Sequence, residues 1–411
     1  MSYITGCGCG KNHFCAINNI VVRENAILSL PDLCSKYEHI HLVYDMNTFE
    51  AAGRQVRKLL DGSVSSETLF GKELLIPDEK AVALIEETMP ESTDLIVGTG
   101  SGVIQDLCKF TGTKRNLPYF IVATAPSMDG YGSSGAAMIM NGMKITYPAR
   151  VADSIVCDVN VLKEAPLDMI RAGYGDVIGK FSCLNDWKLS ALVNGEYFCD
   201  RIYGMVNDML GRVRDSGEKL QKRDPSAIKS LTDALIGVGV AMAYAGSTRP
   251  GSGSEHHLSH FFEIVGIVRG EPYFPHGIDV ACSTVKTAEI RHELLNTDNF
   301  EFQKFNRDEW IENIRRVYGK ISGKVIEFQD GLGHHSRDMS SVYSAKRDEI
   351  KGILSDSPGP DIIRNYLESA GIEYDGFERL YGAEKISDAI RFGMDLKDRY
   401  SVLWLYNSIR H

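Results

Sequence analysis

The chain has 411 residues and carries 55 acidic against 45 basic side chains, which gives a formal net charge of -10. A chain of this length can form two domains and bury a large core. The acidic balance argues against a nucleic-acid partner, because phosphate backbones are bound by clustered cations, so an anionic substrate must be met by local basic groups.

The N-terminal segment offers four possible metal ligands in the sequence CGCGKNHFC, namely Cys7, Cys9, His13 and Cys15. Their spacing does not match the usual zinc patterns, and the alternative is a flexible terminus with incidental thiols. The chain has nine cysteines at uneven intervals, which is typical of reduced cytosolic thiols. Neither a secretion signal nor a run of membrane-spanning length stands out, so we expect a cytoplasmic protein.

Up to residue 162, short apolar runs alternate with amphipathic stretches. The runs predict strands at residues 19–22, 39–45, 72–77, 94–100 and 118–124. The stretches between them predict helices, for example at residues 47–62 and 79–90. This alternation predicts βαβ units and a mostly parallel sheet, which binds its ligands beyond the carboxyl ends of the strands.

A glycine-rich turn, GTGSG at residues 98–102, follows one of these strands and precedes a predicted helix. Glycines allow close approach of a pyrophosphate, and the amides at a helix start attract its charge. A plain tight turn is the alternative, and the spacing differs from G-x-G-x-x-G.

Asp45 ends the apolar run HIHLVYD. A carboxylate there accepts hydrogen bonds from an adenosine ribose and repels a 2′-phosphate, which favours NAD over NADP. The alternative is that Asp45 is the N-cap of the helix beginning at Asn47.

Helical patterns dominate after residue 162. We therefore expect an α/β dinucleotide-binding domain at residues 1–162 and an all-α domain at residues 163–411. Within the second region, GSGSEHHLSHFFE contains His256 and His260, which share one face of a helix, while His257 points elsewhere. Ordinary core or surface histidines are the alternative, unless a third ligand lies elsewhere in the chain.

Six stretches give the chain a family resemblance: VYDMNT, GTGSGVIQDLCKF, TAPSMDGYGSSGA, AGYGDVIGK, STRPGSGSEHHLSHFFE and PHGIDV. In this order and combination they resemble the glycerol-1-phosphate dehydrogenases, particularly the bacterial AraM type. These enzymes belong to the superfamily of iron-containing alcohol dehydrogenases, glycerol dehydrogenase and dehydroquinate synthase. The resemblance implies a dehydroquinate synthase-like fold whose active site lies in the cleft between the two domains.

The resemblance also implies a ligand set. A divalent metal, zinc or nickel, would be held by Asp176, His256 and His276, with His260 and Asp129 as substrate contacts; Asp129, Asp176 and His260 are the expected catalytic residues. Three protein ligands leave a catalytic metal an open position for substrate. The implied NAD contacts are Asp45, Gly102, Val103, Ile104, Gln105, Asp106, Thr124, Ala125, Pro126, Ser127 and Ser133.

The implied reaction is the reversible reduction of dihydroxyacetone phosphate to sn-glycerol 1-phosphate with NADH, in phospholipid metabolism, by a cytoplasmic homodimer. Arg249 and Lys180 are the candidates for binding the substrate phosphate, and both have surface charges as their alternative. Rival interpretations are a dehydrogenase of another polyol or polyol phosphate, a dehydroquinate synthase-like lyase, and a noncatalytic nucleotide-binding protein. No nucleic-acid partner and no membrane span are expected.

Overall fold

The fold is described from a computed structural model, in which residues 2–140 and 143–409 are described. The chain forms two compact units. Unit 1 comprises Met1–Val177 and Gly204–Thr248, and unit 2 comprises Ile178–Tyr203 and Arg249–His411. Each unit is described by itself.

The strands all belong to unit 1. In chain order they are β1 (Ser2–Ile4), β2 (His13–Cys15), β3 (Asn19–Arg23), β4 (Ile40–Asp45), β5 (Val64–Phe70), β6 (Leu95–Gly100), β7 (Tyr119–Ala123), β8 (Gly135–Met140), β9 (Met143–Pro148) and β10 (Ser154–Asp158).

The helices before the histidine-rich segment begin in the α/β region and extend through the long apolar helix α11. They are α1 (Leu30–Cys34), α2 (Met46–Thr48), α3 (Arg54–Leu59), α4 (Glu79–Thr88), α5 (Gly102–Lys114), α6 (Val159–Leu162), α7 (Leu167–Ile178), α8 (Lys180–Asn194), α9 (Asp200–Val213), α10 (Gly217–Gln221) and α11 (Pro225–Ala245).

The remaining helices all belong to unit 2. They are α12 (Ser254–Arg269), α13 (His276–Asn296), α14 (Arg307–Tyr318), α15 (Ser322–Leu332), α16 (Ser340–Ala345), α17 (Arg347–Ser355), α18 (Pro360–Ser369), α19 (Tyr374–Phe392) and α20 (Val402–Ser408). The prediction of an α/β region followed by a helical region is confirmed.

A six-stranded parallel sheet forms the centre of unit 1, in the order β3-β10-β7-β6-β4-β5. All residues of β6, β7 and β10 are buried, as expected for parallel strands covered on both faces. From β4 the chain continues outward to β5, whereas from β6 it continues in the opposite direction to β7. The direction of winding therefore reverses between β4 and β6, and ligands of such sheets bind at the carboxyl ends of strands flanking the reversal.

One predicted strand is wrong. The apolar run at residues 72–77 is not a strand, and Leu74 within it is 88% exposed. The edge strand is instead β5, whose sequence VSSETLF is largely polar. An edge strand has one neighbour and exposes part of its surface, so hydrophobicity identifies it poorly.

Helix α11 is the one described helix that is long and apolar enough to cross a membrane by length and composition. Within its most apolar window, 67% of the residues are buried inside the protein. This degree of burial is typical of a core helix.

Candidate active site

The glycine-rich turn lies at the reversal point of the sheet, at the carboxyl end of β6. Helix α5 begins at Gly102, and its N-cap residue Ser101 makes no side-chain capping hydrogen bond. The first amides of a helix have no intrahelical acceptor and carry a partial positive charge. The amides of Gly102, Val103 and Ile104 are therefore placed to bind an anionic group, as the sequence predicts for a pyrophosphate.

Two of the predicted cofactor residues are buried inside this turn. The Gln105 side-chain amide donates to the carbonyl oxygens of Gly98 and Gly100, at 3.2 and 3.0 Å. Ile104 is 1% exposed, and a methyl group added at Gly100 would meet its side chain at 2.6 Å. Both side chains thus support the turn from its buried side, while Gly102, Val103 and Asp106 remain partly accessible.

Asp45 is the N-cap of helix α2, as the alternative interpretation of this residue predicts. Its Oδ1 accepts hydrogen bonds from the amides of Asn47 and Thr48, each at 2.8 Å, and Thr48 completes a capping box. Both bonds use the same oxygen, so the cap leaves Oδ2 available to a further donor at the end of β4.

The predicted cofactor loop after β7 is tied back to the sheet. The Thr124 amide donates to the Gly100 carbonyl at 3.2 Å, and the Tyr131 hydroxyl donates to the Ala125 carbonyl at 2.6 Å. Thr124, Ala125 and Pro126 are buried and Ser127 is half-buried. The loop therefore lies beside the glycine-rich turn of the neighbouring strand.

Lys109 organises the next segment of the loop. Its ammonium group, which is fully buried, donates to the carbonyls of Gly130 and Gly135 at 2.8 and 2.9 Å, and it lies 3.4 Å from Ser133 Oγ. Burial lowers the pKa of Lys109, against the opposing effect of the Asp106 carboxylate. Ser133 Oγ also donates to Gly130 O, so this predicted cofactor residue holds the loop together.

Two glycines allow helices of unit 1 to touch this loop directly. A methyl group at Gly173 of α7 would lie 1.8 Å from the Pro126 carbonyl oxygen. One at Gly239 of α11 would lie 2.7 Å from Gly132 Cα and 2.9 Å from the Asp129 carbonyl oxygen. Only a hydrogen atom fits at either position.

Asp129 and Asp176, both predicted site residues, are brought together in unit 1. The Asp129 amide donates to Asp176 Oδ2 at 2.9 Å, and Asp176 is fully buried in the last turn of α7. This bond fixes the orientation of the Asp176 carboxylate and the position of the Asp129 loop relative to α7.

In unit 2 the structure brings three predicted histidines together. The ring centroids of His256 and His276 are 5.1 Å apart, those of His260 and His276 5.4 Å, and those of His256 and His260 5.7 Å. Ring nitrogens of His256 and His276 come within 4.8 Å of each other, close enough to share a metal ion. Helix α12 supplies the pair spaced four apart, and the first residue of α13 supplies the third.

Glu255 is a functional residue that the sequence interpretation missed. It is fully buried, and its Oε1 lies 2.6 Å from His256 Nδ1 and accepts from the Gly253 amide at 2.8 Å. Burial raises its pKa. A carboxylate that holds one ring nitrogen of a histidine fixes the orientation of the ring, as is typical of histidines that bind metals through the other nitrogen. The available signal was the acidic residue directly before the histidine.

His276 and His257 are held by serines. Ser259 Oγ lies 3.3 Å from His276 Nδ1, a contact that orients the His276 ring. His257 is fully buried, and its Nδ1 lies 3.2 Å from Ser401 Oγ. Burial, together with nearby cations such as Arg399, lowers the pKa of His257 well below its ordinary range. As the helical spacing predicts, His257 is separate from the other rings.

The two cations predicted to bind substrate phosphate have structural roles in unit 2. Arg249 is 4% exposed, and it binds both carboxylate oxygens of Glu196 and the Tyr400 carbonyl. Lys180 is fully buried and donates to the Gly251 carbonyl at 2.9 Å. The alternative that they are surface charges is wrong, because both side chains lie in the interior.

The chain is similar to known dehydrogenases over almost its whole length. The family model described as iron-containing alcohol dehydrogenase matches residues 21–166. A protein named glycerol-1-phosphate dehydrogenase from Halalkalibacterium halodurans is 33% identical over 98% of this chain and 95% of its own length. One of the same name from Bacillus velezensis is 30% identical over 95% of this chain and 91% of its own.

The solved structure of an archaeal halo-thermophilic alcohol dehydrogenase from a Red Sea brine pool has the same fold. The TM-score is 0.63 at 13% identity, and the alignment covers 96% of this chain and 97% of that one. The two sequence relatives, at 30% and 33% identity over almost the whole chain, lead to one conclusion. The chain belongs to the glycerol-1-phosphate dehydrogenase family.

Proposed function

We propose that the protein is a metal-dependent oxidoreductase that interconverts dihydroxyacetone phosphate and sn-glycerol 1-phosphate with NAD(H). The names of its relatives support this activity, since the relatives align with more than nine-tenths of the chain. The structural observation that carries the proposal is the His256–His276 pair, with Glu255 bonded behind the first ring.

In this proposal Asp176, His256 and His276 hold one divalent cation, zinc or nickel. The donor set fits such an ion, because the ligand atoms of its two histidines lie within 4.8 Å of each other and Glu255 and Ser259 orient the two rings through Nδ1. When bound, the cation supplies Lewis-acid polarisation of the substrate carbonyl. Asp176 would bring a negative charge to the site, so the site would bind a divalent cation more tightly than neutral ligands alone would.

His260 is the proposed proton donor and acceptor at the substrate oxygen. It lies on the same face of α12 as His256 and next to His276, so it can serve the same substrate without being a ligand. Asp129 and Asp176 would accept hydrogen bonds from the substrate hydroxyls and so orient the polyol. Arg249 and Lys180 are not part of this proposal, because both side chains are bonded within unit 2.

We propose NAD as the cofactor, with its pyrophosphate at the first amides of α5 and its adenosine ribose on Asp45 Oδ2. Gly102, Val103, Asp106 and the loop at residues 124–127 would contact it directly. Ile104, Gln105 and Ser133 would act by holding the turn and the loop in shape, because their side chains pack against or bond to the protein itself.

A panel of ketose phosphates and free ketoses with NADH, with zinc or nickel supplied, tests the reaction. We expect the highest kcat/KM with dihydroxyacetone phosphate and one NADH oxidised for each substrate reduced. Preference for another polyol phosphate would move the assignment to a related dehydrogenase. Turnover without net NADH oxidation would instead indicate a lyase that recycles its nicotinamide.

Ligand substitutions test the metal site. His256→Ala and His276→Ala are expected to lose both activity and a bound cation, because each removes one of three ligands. His257→Ala is the matched control on the same helix and is expected to keep the cation. Wild-type metal content in dialysed His256→Ala protein would contradict the ligand assignment.

The remaining assignments are proposals from the sequence: a division into residues 1–162 and 163–411, a homodimer, a cytoplasmic location and a role in phospholipid metabolism. Size-exclusion chromatography with light scattering tests the dimer. A monomer at micromolar concentration would contradict it.

A further inference from the structure

The N-terminal loop of unit 1 gathers Cys7, Cys9 and His13, none of which takes part in the proposed reaction. We propose that these three side chains bind a second metal ion, a thiophilic divalent cation such as Zn²⁺, which fastens the loop to the end of α11. Their ligand atoms lie within 4.8 Å of one another. The proposal concerns the stability of unit 1 and is independent of the oxidoreductase activity.

The backbone of the loop presents both cysteines toward the histidine. Cys7 and Gly10 close a turn through a 3.0 Å hydrogen bond from the Gly10 amide to the Cys7 carbonyl, and the Gly6 amide donates to Asn12 Oδ1 at 3.2 Å. Gly6 and Gly10 have φ angles of 62° and 82°, which other residues rarely adopt. The two glycines thus allow the reversal that returns the chain to His13.

His13 is oriented as a metal ligand. Its Nδ1 lies 2.9 Å from the Tyr244 carbonyl oxygen near the end of α11, and the ring is 1% exposed. A carbonyl only accepts, so the proton is on Nδ1, and the lone pair of Nε2 points to Cys9 Sγ at 3.3 Å. A carbonyl that fixes one ring nitrogen while the other faces thiolates is the usual arrangement behind a histidine ligand.

The distances agree with a tetrahedral site. Zinc–sulfur and zinc–nitrogen bonds of about 2.3 and 2.0–2.1 Å place the two ligand atoms about 3.6 Å apart. The observed separation of 3.3 Å requires only a small adjustment.

Cys15, a ligand candidate from the sequence, does not share this group. It lies in β2 and is 2% exposed, whereas Cys7 and Cys9 are partly exposed in the loop. Cys15 is therefore suitable as a control residue.

Binding would convert both thiols to thiolates and release two protons, while His13 coordinates as the neutral ring. Three protein ligands leave a fourth position, which a further thiol or a water molecule fills. The cation would link the loop before β2 to the carbonyl-bearing end of α11 through His13, so its effect is expected on the stability of unit 1.

Metal analysis of the full-length protein without a histidine tag tests the proposal. In a His256→Ala, His276→Ala background, which removes the proposed active-site cation, we expect about one equivalent of zinc to remain. Cys7→Ser with Cys9→Ser, or His13→Ala, should reduce it to below about a tenth of an equivalent. Cys15→Ser should retain it. Zinc content that is the same with and without Cys7 and Cys9 would overturn the proposal.

Cobalt substitution gives a second measurement that does not depend on stability. Co²⁺ bound to the same background should show thiolate-to-metal charge-transfer absorption that is lost in the Cys7→Ser, Cys9→Ser protein. A cobalt spectrum without that absorption would also overturn the proposal. Serine substitution of the other cysteines, one at a time, then identifies any fourth thiolate by the fall in its intensity.

Discussion

Replacing Glu255 by glutamine tests whether the buried carboxylate behind His256 tunes a metal ligand. Glutamine has nearly the same shape and keeps an acceptor oxygen for the Gly253 amide and for His256 Nδ1. The substitution therefore removes the negative charge while leaving the hydrogen-bond geometry available. Because His256 would become partly positive on binding a cation, the charge matters most in the metal-loaded state.

The structure sets the size of the effect. The Glu255–His256 bond is 2.6 Å long and fully buried, so it is charge-assisted and unscreened by water. A hydrogen bond to a charged group contributes about 1.5–3 kcal/mol against about 0.5–1.5 for a neutral one, a difference of roughly 1–2 kcal/mol. That difference corresponds to a loss of about 5- to 30-fold in metal affinity.

Competition with a chromophoric chelator measures the metal affinity of each variant, in a Cys7→Ser, Cys9→Ser background that removes the other proposed site. Glu255→Gln is expected to release its metal at a chelator concentration at least about fivefold lower than the unmodified site, and excess metal should restore activity. Glu263→Gln makes the same charge change about two turns further along α12 and serves as the control. Equal affinity in the Glu255→Gln and unmodified sites would refute the reasoning.

Four further outcomes are expected. Asp45→Asn keeps an N-cap but loses the charge, so kcat/KM with NADPH relative to NADH should rise about tenfold; equal use of both cofactors by the wild type would contradict this. His260→Ala should keep its metal, while kcat falls about 10²–10⁴-fold; a metal-free variant would make His260 a ligand. Burial lowers the pKa of His41 to about 4, so the unfolded state takes up the proton first and up to about 3 kcal/mol of stability is lost as the pH falls from about 6.5 to 4. Urea unfolding of His41→Gln should lack that part of the pH dependence. Gly239→Ala should destabilise the protein by about 1–3 kcal/mol in thermal unfolding, unlike the open position Gly211→Ala.

The shared helical face of His256 and His260 in unit 2 was predictable because it rests on local periodicity. A spacing of four residues places His256 and His260 on one helical face and turns His257 away, and the structure has this arrangement. The sequence does not reveal which histidines have a buried partner. Glu255 adjoins His256 in the sequence, but only the folded structure shows that its carboxylate bonds to the His256 ring.

The buried position of Arg249 was not predictable for a similar reason. Arg249 stands in a glycine-rich segment beside the histidines, where a cation is suggestive, yet it is bound by Glu196 and by the Tyr400 carbonyl. These partners are distant in sequence, so no local pattern indicates them. A charged residue is buried only when its partners are supplied by the tertiary fold, and that information is absent from any short window of sequence.

The edge of the sheet shows the same limit of prediction from short windows of sequence. The apolar run at residues 72–77 has the composition of a strand, whereas the true edge strand β5 is rich in serine and threonine. Central strands are covered on both faces and are therefore recognisable from hydrophobicity, as β6 and β7 were. Parallel pairing with β4 places β5 in the sheet, and pairing is a long-range property.

The glycine contacts at Gly173 and Gly239 constrain the loop at residues 124–132 in one direction only. Steric repulsion prevents the loop from moving toward α7 and α11, but it offers no resistance to movement away from them. Outward movement is opposed by polar bonds to the rest of unit 1, including the Asp129 amide to Asp176 and Lys109 to Gly130. The loop is therefore blocked on one side by packed helices, and hydrogen bonds oppose its movement to the other side. Breaking those few bonds would release the loop without disturbing the packing of the helices.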